Sequence, residues 1–121
     1  MNFARFSTSF ADAFRGLKFV FKSEQNFRIQ VVAGIAAIVA SILFPLKMWE
    51  VVLVLLMVLL VWLVEMMNTA IEYFTDMLKP RLHHYVFVVK DIMAGAVFLV
   101  SIGAMAIGLM IFLPHFINLF K

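Results

Sequence analysis

The chain has no cysteine and little charge. Without cysteine there is neither a disulfide framework nor a thiolate metal site. Charged residues are 14% of the 121, and hydrophobic residues are 65%. A soluble domain carries roughly 25% charged residues. With a mean hydropathy of +1.07, an ordinary soluble domain is excluded, and the chain reads as one integral membrane domain. The phosphate-binding signatures Gly-x-x-x-x-Gly-Lys-Ser/Thr and Gly-x-Gly-x-x-Gly are missing, as is a His-Arg-Asp catalytic loop. Any use of a nucleotide would need a different fold. No internal repeat or low-complexity tract occurs. A signal peptide is not expected, because Arg5, Asp12, Arg15, Lys18 and Lys22 break up the start.

What is present is apolar and periodic. Phe3, Phe6, Phe10, Phe14, Leu17 and Phe21 recur at three- and four-residue steps, while Arg15, Lys18 and Lys22 form a basic stripe. Residues 3–22 therefore predict an amphipathic helix lying in a membrane interface. A first span is expected over about 29–44, with Arg28 snorkelling at one end. Pro45 and Lys47 mark a turn, and Trp49 anchors the next span at an interface. Met48 to Val64 is about 25 Å of helix with one charge, Glu50. Its helical pattern runs on beyond the hydrocarbon to about Leu78, where Pro80 ends it. A third span is expected over about 92–113, stopped by Pro114. Its small residues, among them Ala94, Gly95, Ala96, Ser101 and Gly103, favour close helix approach. The fold class is an all-α membrane protein: a surface helix followed by three transmembrane helices.

Basic residues set the orientation. Eight of the ten lie before the first span or between the second and third, and only Lys47 and Lys121 fall on the other side. The N-terminus and the 79–90 loop are thus expected in the cytoplasm, and the C-terminus outside. Six of the seven acids share the cytoplasmic side, Glu50 being the other.

At the cytoplasmic end of the second span, Glu65, Asn68, Thr69, Glu72 and Asp76 fall at i, i+3, i+4, i+7 and i+11, on one helix face. Polar groups beside hydrocarbon are costly and point to function. Glu65 is placed near the inner boundary of the hydrocarbon, where it meets a lipid hydroxyl, and Glu72 about 10 Å further towards water. Glu24 and Arg28 open the first span at that level, and Lys90 and Asp91 open the third. A carboxylate there serves as a general base. Paired carboxylates hold Mg²⁺ with substrate phosphates completing its shell, and a Lys and an Arg neutralise transferring phosphate. Plainer readings stand beside these. Asp76, Lys79 and Arg81 suit a solvated helix end equally well. Lys90–Asp91 taken alone reads as a snorkelling cation beside a helix-start acid. His83 and His84 fall in a polar loop, where solvation is expected. Two functional alternatives remain: a small proton- or cation-translocating protein, and a non-catalytic membrane interaction subunit. Transport sites favour the midplane, and no acid lies within 51–64 or 92–113.

The segment Glu65-Met-Met-Asn-Thr-Ala-Ile-Glu, extended to Asp76, resembles the pattern of the prokaryotic diacylglycerol kinase family, which includes undecaprenol kinases. Glu24 ahead of Asn26-Phe27-Arg28, Lys90-Asp91 ahead of Ala94-Gly95-Ala96-Val97, and Ile111-Phe112-Leu113-Pro114 extend the likeness over nearly the whole chain. The last of these resembles the undecaprenol kinase branch. The resemblance implies an ATP- and Mg²⁺-dependent lipid kinase of the bacterial cytoplasmic membrane. It also implies a homotrimer with sites shared between protomers. By matching positions it implies Glu65 as general base and Glu24 and Glu72 as Mg²⁺ holders. Arg5, Glu24, Asn68, Glu72, Asp76, His83, Lys90 and Asp91 would serve the nucleotide. Arg5, Glu65 and Ala94 would border the lipid. Gln30, Asp12 and Arg81-Leu82 depart from the enterobacterial pattern at positions tied to base contacts and lipid choice.

Overall fold

The computed structural model describes residues 2–121. Four helices follow in order: α1 (Phe3–Ser23), α2 (Gln25–Leu43), α3 (Met48–Asp76) and α4 (His83–Asn118). The last three are long and apolar enough to cross a membrane. The all-helical class and the number of spans agree with the sequence reading.

Helix α1 starts at a side-chain cap. Asn2 Oδ1 accepts from the Ala4 N–H at 3.0 Å, satisfying a donor that a helix start leaves free. Only Val20 is buried along α1, and the phenylalanine row points outward. A single extended residue, Glu24 (φ −118°, ψ 113°), turns the chain into α2. Helix α2 thus begins one turn earlier than the span expected from Ile29.

The bundle is built on one seam of α3. Glu50, Val54, Val58, Val61, Glu65 and Thr69 are all buried, and their three- and four-residue steps place them on one face. Phe27, Gly34 and Ser41 form the matching buried line of α2, at seven-residue intervals. Gly34 permits the closest approach. A Cβ there would stand 2.7 Å from both Trp62 Cζ2 and Val58 Cγ1. The indole is also tied across, its Nε1–H donating to the Gln30 carbonyl at 2.8 Å. Ile111 of α4 completes the apolar core with Val54 and Val58. An apolar cavity of about 360 Å³ lies between α2, α3 and α4, lined by Ala33, Ala37, Ser101 and Ala104 among others.

Two expectations about α4 are corrected. The helix does not stop at Pro114 but runs through it to Asn118. Proline removes one backbone donor and crowds the preceding turn, yet the turn beyond it is held from outside. His115 Nε2 lies 3.3 Å from Glu50 Oε1 on α3. Glu50 is itself fixed, accepting from the Lys47 N–H at 2.9 Å. The second correction concerns the 79–90 loop. The turn covers 77–82 only, and His83 and His84 belong to the first turn of α4. Helix α3 ends at Asp76, ahead of Pro80, as the restricted backbone before a proline favours.

The small residues of α4 do not all serve packing within one chain. A Cβ at Gly95 or Gly103 would meet nothing within 4 Å. The close helix approach expected of α4 is made instead by Gly34 of α2.

Candidate active site

The acid layer grows out of the α3 seam. Three buried valines, Val54, Val58 and Val61, carry the register that aims Glu65 inward, so Glu65 is 5% exposed. Thr69, one turn on, donates its hydroxyl to the Glu65 carbonyl at 3.1 Å and adds no charge. Asn68 and Glu72 are half-buried, and Asn68 Nδ2 reaches Glu72 Oε1 at 3.4 Å. Thr75 donates to the Glu72 carbonyl at 3.1 Å. The stripe therefore splits by depth: Glu65 and Thr69 are enclosed, Asn68 and Glu72 partly open, and Asp76 exposed.

Glu24 joins this layer from the α1–α2 corner. Both the Glu24 and Glu72 carboxylates lie close enough to Glu65 to act on it electrostatically. Glu24 occupies the helix-start position of α2 but makes no capping bond with its side chain, which leaves its oxygens available. Among the described residues none of these three carboxylates has an ion-pair partner; the pairs are Asp12–Arg15, Asp76–Lys79, Asp76–Lys90 and Glu50–His115. Unpaired carboxylates gathered beside hydrocarbon call for a cation. The donor set is hard oxygen, the chemistry of Mg²⁺. Among the described residues no three acids or histidines converge into a ready-made metal cage. Mg²⁺ characteristically takes one or two protein carboxylates and completes its shell from phosphate and water, so the residues present fit it.

A basic group stands at the watery end. Lys90 Nζ donates to Asp76 Oδ1 at 2.8 Å, bridging α4 to α3. Lys79 lies 3.6 Å from the same oxygen. Lys90 also feels the Glu72 charge, so α4 presents an ammonium beside the acid layer. Phe19 and Tyr73 stack at 5.4 Å between ring centroids, seating the end of α1 on α3 next to Glu72.

Other residues named from the sequence lie apart. Arg5 is exposed near the start of α1, with about 27 Å of helix between it and Ser23. His83 is exposed and packs its ring on Phe87 at 4.6 Å. Asp91 and Ala94 are exposed on α4. None of these four touches Glu65 through a hydrogen bond or ion pair among the described residues. Sequence reasoning read Arg28 as a snorkelling cation and a candidate partner for phosphate, and missed the corner it spans. Its Nη1 donates to the Phe21 carbonyl at 2.9 Å and the Lys22 carbonyl at 2.8 Å. An Arg four residues after a corner acid was the available signal, but nothing local in it named those carbonyls.

An all-helical membrane bundle with an enclosed carboxylate, two flanking acids and a lysine at one end has the equipment of a membrane-interface phosphotransferase. The family model for prokaryotic diacylglycerol kinase matches residues 11–112. A diacylglycerol kinase from Synechocystis is 35% identical over 112 residues, covering 92% of this chain and 64% of that protein. An undecaprenol kinase from Bacillus subtilis is 34% identical over 110 residues, covering 91% of this chain and 89% of its own. The chain belongs to the prokaryotic diacylglycerol kinase family, a family of membrane lipid kinases. It thus spans about two-thirds of the Synechocystis protein and most of the Bacillus one.

Proposed function

We propose that the protein transfers the γ-phosphoryl group of ATP to the primary hydroxyl of a membrane lipid. The observation that carries this is the buried Glu65 flanked by Glu24 and Glu72, three carboxylates with no ion-pair partner among the described residues. The lipid hydroxyl approaches from the bilayer side and gives its proton to a Glu65 oxygen. The alkoxide oxygen then bonds to the γ-phosphorus as the bond to the β-phosphate oxygen breaks, leaving a lipid phosphate and ADP. Glu24 and Glu72 hold Mg²⁺, which when bound offsets phosphate charge. Asn68, donating to Glu72, orients that carboxylate. Lys90 and Asp76 stand where the nucleotide phosphates enter from water, with Lys90 supplying positive charge. Carboxylates near the span end rather than its middle favour this reading over ion translocation.

Undecaprenol is the favoured acceptor and diacylglycerol the second. The undecaprenol kinase is matched over nearly its full length, and Ile111-Phe112-Leu113-Pro114 resembles that branch. Helix α1 lies in the cytoplasmic interface with its exposed phenylalanines against lipid. The protein sits in the bacterial cytoplasmic membrane with the N-terminus and the 79–90 segment inside and the C-terminus outside. Protomers assemble as a homotrimer. The outward small residues of α4 give the contact surface, and a neighbour's Arg5, His83, Asp91 or Ala94 completes each site.

The deciding experiment offers undecaprenol and diacylglycerol separately in mixed micelles with radiolabelled ATP. Label is expected in lipid, at the higher rate in undecaprenol. Label in neither lipid overturns the kinase reading, and a preference for diacylglycerol overturns the choice of acceptor.

A further inference from the structure

The one-residue corner between α1 and α2 puts Glu24 in the acid layer, so whatever holds that corner controls the carboxylate. The Glu24 backbone is bonded on both sides: its N–H donates to the Val20 carbonyl at 2.9 Å, and its carbonyl accepts from the Arg28 N–H at 3.2 Å. Phe19 against Tyr73 seats the end of α1 on α3, and the Arg28 side chain ties that end directly to α2. Its guanidinium spans the corner and donates to the Phe21 and Lys22 carbonyls, two of the last-turn acceptors that a helix end leaves unsatisfied. The positive charge also sits where the carbonyl end of the α1 dipole is negative. Arg28 has no ion pair among the described residues although acids lie in the same layer. A snorkelling cation would aim at water or head groups; this one is committed to backbone. Phe27, 3% exposed, roots the same turn of α2 in the bundle.

We propose that Arg28 is a positioning residue, clamping the α1–α2 corner so that the free Glu24 carboxylate stays in the acid layer beside Glu65. This rests on the reading of Glu24 and Glu72 as the metal-holding pair. Arg28 touches neither lipid nor nucleotide in this role. It acts through Glu24, so its removal weakens metal binding and leaves the chemical step intact once metal saturates.

The test uses the full-length protein in detergent micelles, with Arg28→Met and Arg28→Lys. The apparent Mg²⁺ requirement for lipid phosphorylation is expected to rise about tenfold in Arg28→Met, the size found when supports behind metal ligands are removed. At saturating Mg²⁺, kcat stays within about twofold of wild type and the KM for lipid does not move; Arg28→Lys, with a compact head that lacks the fork, gives a smaller rise. Mn²⁺ binding, followed by electron paramagnetic resonance without turnover, weakens in parallel. Adding Glu24→Gln to Arg28→Met weakens Mn²⁺ binding no further than Glu24→Gln alone, the non-additivity of residues acting in series. A fall in kcat at saturating Mg²⁺ with Mn²⁺ binding intact overturns the proposal, since it would put Arg28 on the substrate. Should Arg28→Met aggregate, Arg28→Lys with wild-type Mn²⁺ affinity overturns it equally. If wild type labels neither lipid while Mn²⁺ binding still falls in Arg28→Met, the kinase reading fails and the clamp stands.

Discussion

At the scale of single residues, burial separates jobs that the sequence shows only as a row. Glu65 is enclosed where Asp76 is open, although both belong to the same stripe. The Glu24 and Glu72 carboxylates flank Glu65. Replacing Glu65 with Gln keeps the shape and removes the proposed base. Glu65→Gln is expected to fold, to bind ATP with near wild-type affinity, and to lose activity by at least about a hundredfold, the scale of general-base catalysis. Isothermal titration with ATP and Mg²⁺, paired with the micelle assay, checks this; wild-type turnover in Glu65→Gln would remove the assignment. Gly34 makes a second residue-scale case. Its missing side chain leaves room for the Trp62 ring, and the indole and Val58 methyl stand where a Cβ would go. Gly34→Ala should lower stability by about 1–3 kcal/mol through overpacking, read as an earlier thermal transition in detergent. Gly95→Ala, which meets nothing within the chain, should leave that transition in place for the isolated protomer.

At the scale of elements, local pattern was legible and register between helices was not. The number of spans, the aromatic row of α1 and the acid stripe of α3 each repeat within a few turns, so the sequence displays them directly. The boundaries of α4 did not follow from such a pattern. Pro114 reads as a stop, yet the helix continues because His115 is held by Glu50, 65 residues away in the chain. No local rule links those two positions. The same holds for Trp62 with Gln30 and for Arg28 with the end of α1: each bond depends on how two helices are set against one another. His115→Ala should therefore loosen the last turn of α4 while leaving the chemistry of the acid layer intact. Faster amide exchange over residues 115–118 with unchanged lipid phosphorylation is the expected pair of results. A loss of activity in this variant would show that the outer end of the bundle is coupled to the acid layer.

At the scale of the whole molecule, one chain leaves much of its surface uncovered. Large apolar side chains such as Phe98, Leu99, Met105 and Met110 are exposed on α4, and lipid can cover them. The polar and small groups are harder to satisfy. Arg5 lies far along α1 from the acid layer, and Gly95 and Gly103 offer open surface suited to another helix. The proposed association of protomers would answer both. Gly103→Leu should add bulk on that surface, where a Cβ meets nothing within 4 Å. Cross-linking in native membranes is expected to show trimer in wild type and its loss in this variant, with lipid phosphorylation falling alongside. Trimer and activity both surviving in Gly103→Leu would place the contact elsewhere.

The buried seam of α3 is, in these terms, a ruler with a phase. Glu50 and Glu65 both lie on it, and the three buried valines between them face the same way. Each residue advances a helix by about 100° and 1.5 Å. Inserting one residue between Val54 and Val58 would turn Glu65 by about 100° away from the bundle while Glu50 stayed put. Inserting seven would restore its direction to within about 20° but carry it roughly 10 Å deeper towards the cytoplasm, beyond reach of a lipid hydroxyl. Direction and depth cannot both be recovered by any small change in length. The distance across the hydrocarbon is thus written into the chemistry, and a bilayer of different thickness would require this helix to tilt rather than to grow.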